Sequence, residues 1–200
     1  MSESVDGRRR RYEHRREEVL LAATEHALEH GLAGLSLRKV AETVGVSHAT
    51  LVHHFTSKDR LVAEIVDLVL TRTFSSPDLV AAGDPDPLRT LWRHATAPGG
   101  RRQIRLFTAI TGHALHGSPD LAAAVSRSLQ QRTALLTRAL VADGAPPGQA
   151  AALATLVLGT MRGLLVDLLV TGDEERVEAA LEELLRDVER RRSAWLCAGG

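Results

Sequence analysis

The stretch LSLRKVAETVGVSHATLVHHFTSKDRL, Leu35 to Leu61, decides the reading of this chain. Ser36 offers its hydroxyl as an N-cap to a short helix from Leu37 to Val44, and Gly45 breaks that helix. Ser47 caps a second short helix running to about Phe55, and Thr56 and Ser57 open a longer one. Leu37, Val40, Ala41 and Val44 give the first short helix an apolar face toward Val46, Leu51 and Phe55 of the second. Ala41 is small enough for the two axes to cross closely, and a glycine tolerates the left-handed turn. Two short helices crossing in this way make a helix-turn-helix, whose second helix turns its N-terminal residues toward a DNA major groove.

Outward from this motif the pattern stays helical. Val19, Ala22, Ala23 and Ala27 recur at helical spacing from Arg15 to His30, with Gly31 as the terminating residue. Leu61, Ile65, Leu68 and Val69 keep one apolar face through about Thr73. Ser75 to Pro87 contains Pro77, Gly83, Pro85 and Pro87, so the expected domain boundary lies there. Five more helices are expected: Leu88 to Ala97, Arg101 to His116, Pro119 to Ala142, Pro146 to Val170, and Glu174 to about Trp195. The expectation is an all-α protein of about nine helices. Residues 1–14 form a basic, partly disordered arm, 15–74 a DNA-binding domain with its linking fourth helix, and 75–200 a helical effector-binding and dimerisation domain.

Composition agrees with this. Apolar residues make up 44% and aromatics only 3% of the 200 residues, with Ala and Leu abundant, which favours helices over sheets. The single Cys197 cannot pair within the chain and no signal peptide precedes the charged opening, so a cytoplasmic location is expected. Ala151 to Val170 is long enough to span a bilayer, but Arg162 and Asp167 argue for a buried helix and no membrane partner. The formal net charge is zero, yet Arg8 to Arg11, Arg15 and Arg16 cluster at one end, while Asp173 to Glu189 is mostly acidic. Such an arginine cluster is either a solvated tail or a nucleic-acid contact.

The run from Leu35 to Leu61 resembles the DNA-binding signature of the TetR family of bacterial one-component regulators. It combines in one spacing the turn glycine, the capping serine, Thr50-Leu51, His54-Phe55 and Lys58. The resemblance covers roughly residues 15 to 70; beyond about 75 only helix number, length and order are similar. It implies a homodimeric repressor of palindromic double-stranded operator DNA, released by a small, mostly apolar effector, with no enzymatic activity and no cofactor. It places His48, Ala49 and Thr50 against base edges and His53, His54 and Lys58 near phosphates, with Ser36, Arg38 and Ser47 as further contacts. Thr50 can exchange hydrogen bonds with a base or touch a thymine methyl, and Ala49 can touch the same methyl. One departure stands out: Val52 occupies a place where the family usually has a tyrosine, so a compensating contact from His53 or the basic arm is expected, such arms being able to enter the minor groove.

The resemblance also implies a dimer built by helices eight and nine. Leu156, Gly159 and Gly163, with Val177, Leu181, Leu184 and Val188, supply the apolar positions of a four-helix interface, or else of the chain's own core. Trp92, Ile104, Phe107, Thr108, Thr111, Met161, Arg162 and Leu165 are the candidate effector pocket, with ordinary core packing as the alternative. Arg162 in an apolar helix needs Asp167, a bound anion or solvent as partner. Two other functions compete: an effector-independent, nucleoid-associated DNA-binding dimer, and more remotely a zinc hydrolase. The latter rests on His26-Ala27-Leu28-Glu29-His30, which matches an H-x-x-E-H pattern without an identifiable third ligand. His113 and His116 are not taken as a metal site.

Overall fold

The computed structural model describes residues 3–32, 35–74 and 86–198. They form nine α-helices and no strand: α1 (Glu3–His30), α2 (Leu37–Val44), α3 (His48–Phe55), α4 (Lys58–Phe74), α5 (Pro87–Thr96), α6 (Pro98–Ala114), α7 (Pro119–Ala142), α8 (Pro147–Thr171) and α9 (Glu174–Ala198). The all-α expectation holds, and the anticipated loop at 75–85 lies outside the described residues.

Two boundaries differ from the sequence reading. α1 begins at Glu3, so the basic stretch is a continuation of the first helix and not a disordered arm. Arginine and glutamate are good helix formers, and pairs one turn apart such as Arg15–Glu18 (3.0 Å) and His14–Glu18 (3.3 Å) add support without an apolar face. The second difference is the expected break at 98–100. Only Ala97 separates α5 from α6, because Pro98 starts the new helix and the Arg101 amide already bonds to the Ala97 carbonyl at 2.9 Å. Gly100 makes this sharp corner possible: a Cβ there would lie 2.0 Å from the His94 carbonyl oxygen.

The chain divides into two compact units, Met1–Thr73 with Leu106–Val125, and Phe74–Arg105 with Ser126–Gly200. The division passes through α6 and α7, so the segment 106–125 groups with the first unit.

In the first unit Val19, Ala23 and Ala27 of α1 are buried together with Val40 and Ala41 of α2, Leu51 and Phe55 of α3, and Leu61, Val62, Ile65 and Val66 of α4. Ile110 and Leu121 belong to the same unit and are equally buried. In the second unit Trp92, Leu153, Val157, Met161, Leu165, Leu168, Val177, Leu181 and Val188 form one apolar cluster. The Trp92 indole N–H donates to the Glu178 carboxylate at 2.7 Å, so the buried ring keeps its polar edge satisfied. α8 is long and apolar enough to cross a membrane by length and composition alone, but its inward residues, from Ala150 to Leu168, are part of this cluster.

Candidate nucleic-acid interface

The turn between α2 and α3 is built as its residues demand. The Ser36 hydroxyl accepts from the Lys39 amide at 3.2 Å, fixing the start of α2. At its end Gly45 takes φ 71° and ψ 33°, and the Val46 amide reaches back to the Ala41 carbonyl at 3.0 Å. The Ser47 hydroxyl then accepts from the Thr50 amide at 3.0 Å and starts α3.

α3 therefore has two sharply different sides. Leu51 and Phe55 are fully buried, while His48, Ala49, Val52 and His53 are exposed. The inner side is braced from below by Arg16 of α1. Its guanidinium lies 5.1 Å from the centre of the Phe55 ring and forks onto Glu64 of α4 at 2.7 and 2.6 Å. Sequence reasoning did not single out this brace. Its signal was an arginine preceding the buried Val19 by three positions, on the inward face of α1.

The expected contact residues share this region but are not equivalent. Thr50 is half-buried, its hydroxyl 2.8 Å from the Ser47 hydroxyl. Arg38 is exposed and pairs with Glu42 one turn on, at 3.2 Å. The Lys58 ammonium, at the first turn of α4, donates to the Leu32 carbonyl at 3.2 Å and so ties the end of α1 to the start of α4. Val52 is 37% exposed, an apolar side chain on the outer face of α3. His54 is half-buried, and burial, followed by the positive charges of His53, Arg16 and Arg15, holds its imidazole below the ordinary value near 6.5. It stays neutral at pH 7, unlike a charged phosphate contact.

The His26 and His30 rings stack at 4.4 Å between centroids, and no group of three metal-ligating side chains comes together among the described residues.

The residues expected to bind an effector fall into both units. Trp92, Ile104, Met161 and Leu165 are members of the apolar cluster of the second unit. Phe107, Thr108 and Thr111 belong to the first, where Phe107 is buried, Thr108 is exposed and the Thr111 hydroxyl donates to the Phe107 carbonyl at 2.8 Å. Asp167 does not partner Arg162; it accepts two bonds from Arg176, at 2.7 and 2.8 Å, which hold its carboxyl below the usual carboxylate range.

The residues expected at a dimer interface also separate. Val177, Leu181 and Val188 are buried against α8 within the same chain, with Leu184 packed on the edge of that cluster, so this stripe is intrachain core. Leu156, 49% exposed, and the exposed Gly159 and Gly163 form an outward line on α8, and a Cβ on either glycine would meet nothing within 4 Å.

A capped, glycine-turned helix pair presenting the outer face of its second helix defines a helix-turn-helix protein. Residues 19–65 match the family model described as bacterial regulatory proteins, tetR family. The chain is 43% identical over 47 residues to the HTH-type transcriptional repressor AcnR of Corynebacterium diphtheriae, covering 24% of this chain and 25% of that protein. It is 31% identical over 104 residues to the nucleoid occlusion factor SlmA of Aliivibrio fischeri, 50% and 53% of the respective chains. The chain thus spans about half or less of the length of these curated relatives. The fold extends further: a transcriptional regulator from Rhodococcus sp. Rha1 superimposes with a TM-score of 0.74 at 26% identity, over 88% of this chain and 96% of that one. Residues 19–65 thus match the tetR family of bacterial regulatory proteins, and the fold along most of the chain is similar to that of a transcriptional regulator.

Proposed function

We propose that this protein is a sequence-specific DNA-binding transcriptional regulator, a homodimeric repressor that leaves a palindromic operator when a small-molecule effector binds its second unit. The observation that carries this reading is the two-sided α3, anchored by Leu51 and Phe55 while His48, Ala49 and Val52 point outward. Thr50 sits at the first turn of the same helix, where base-reading residues of a recognition helix belong. Ser36, Arg38, Ser47, His53 and Lys58 surround it as candidates for phosphate contact, and the matches to a transcriptional repressor and a transcriptional regulator support that role.

The arginines at 8–11 enter this proposal as a basic stretch that contacts the groove or the phosphates of the same DNA. The second protomer docks on the open line of Leu156, Gly159 and Gly163, where missing side chains let two α8 helices approach closely. Two recognition helices about 34–36 Å apart then meet successive major-groove faces.

The match to a nucleoid occlusion factor over 104 residues favours one other reading, a DNA-binding dimer that acts on chromosome organisation without an effector. Selection of binding sites from random DNA tests the proposal: enrichment of a two-fold symmetric site supports it, and failure to enrich any sequence overturns sequence-specific binding.

A further inference from the structure

Between α3 and α4 the chain has a single residue with which to turn. The Thr56 amide still belongs to α3, donating to the Val52 carbonyl at 2.8 Å. The Ser57 hydroxyl already caps α4, accepting from the Arg60 amide at 3.1 Å. Thr56 makes the turn at φ 56° and ψ −48°, and the Ser57 amide bonds back to the Phe55 carbonyl. That is a γ-turn of the rare, strained hand. Every other positive φ among the described residues belongs to a glycine, and a β-branched side chain is poorly suited to that region.

Such a conformation persists only where the surroundings over-determine it. Here both flanks are anchored. Phe55, just before the turn, is fully buried beside the Arg16 guanidinium, and Leu61 in the first turn of α4 is fully buried as well. The Lys58 ammonium donates to the Leu32 carbonyl beyond the end of α1 at 3.2 Å, and the Asp59 carboxylate accepts from the Ser118 hydroxyl at 2.7 Å. Ser118 is itself buried just ahead of α7, so two neighbouring residues of α4 are tied to two other parts of the same unit. A longer link, or a glycine with its wide choice of torsions, joins two such helices without fixing the angle between them. A strained threonine has no such freedom. We propose that Thr56 is a positioning residue, whose turn locks α3 to the first turn of α4 so that the outer face of α3 meets DNA in one orientation. This rests on the DNA-binding reading above and adds what holds the reading helix in place.

Thr56→Gly and Thr56→Val in the full-length protein separate the backbone from the hydroxyl, since valine keeps the branched side chain and its strain without the oxygen. The thermal midpoint of Thr56→Gly is expected to equal or exceed that of the parent, because strain is relieved. Amide hydrogen exchange in α3 of the free protein is nevertheless expected to quicken by about ten-fold in Thr56→Gly, as α3 gains the freedom to open apart from α4. On the DNA site selected by the parent, Thr56→Gly is expected to bind about ten-fold more weakly with its affinity for unrelated DNA unchanged, while Thr56→Val stays within about two-fold of the parent. Unchanged exchange in α3, undiminished affinity of Thr56→Gly for the selected site, or a lowered thermal midpoint of Thr56→Gly overturns the proposal. Equal loss of affinity in Thr56→Val assigns the effect to a hydroxyl contact and overturns it too. A parent that selects no DNA sequence overturns the DNA-binding reading instead, and hydrogen exchange, measured without DNA, then decides by itself whether Thr56 locks α3.

Discussion

Thr50 and Lys58 lie eight positions apart and are expected to fail differently. Thr50 opens the outer face of α3 beside its cap, Ser47, so Thr50→Ala is expected to alter which bases are preferred, by about 1–3 kcal/mol at the affected position. Lys58 is a point charge at the first turn of α4, so Lys58→Ala is expected to weaken all DNA sequences alike and lower the log–log salt slope by about one. Binding curves on an operator series at several salt concentrations check both; uniform loss for Thr50→Ala contradicts base reading. His54 makes a prediction about stability instead. Its folded-state pKa lies below the unfolded value, so the unfolded chain binds more protons and His54 favours unfolding as pH falls from about 7 through 6.5 and below. His54→Gln is expected to flatten the acid side of the melting-temperature profile, and an unchanged slope between pH 7 and 5 contradicts the assignment.

At the scale of elements, α8 carries the sharpest contrast between inward and outward faces. Gly163→Leu puts a bulky side chain into space that is open in the single chain, and leucine is the better helix former by nearly 1 kcal/mol. Thermal stability of the dilute monomer is therefore expected to hold or rise, while the dimer weakens by about 1–3 kcal/mol through overpacking. Light scattering over a dilution series measures this, and an unchanged dimer constant contradicts the α8 contact. The helices themselves were largely legible in the sequence, because Ser36, Gly45 and Ser47 mark ends by local chemistry that needs no tertiary information. The start of α1 was not, because a helix of charged residues lacks the apolar period that reveals one. Nor was the corner at Gly100, whose role depends on the His94 carbonyl of a different helix. Periodicity gave the apolar stripe of α9 but not whether its partner was α8 of the same chain or of a second copy. Val177, Leu181 and Val188 pack on their own chain, and the open glycine line of α8 is the surface proposed for a second protomer.

In the whole molecule α6 and α7 run through both units, and in the proposed regulator they join the DNA-binding unit to the effector-binding one. In that proposal the outer face of α3 reads a two-fold symmetric sequence as a dimer. Equilibrium binding of the selected palindrome, compared at one salt concentration with the same duplex carrying both half-sites scrambled, addresses this most directly. At least about a thousand-fold preference for the intact palindrome is expected, with an intermediate affinity when one half-site is scrambled. A preference under about ten-fold, with the two halves contributing nothing separately, contradicts it.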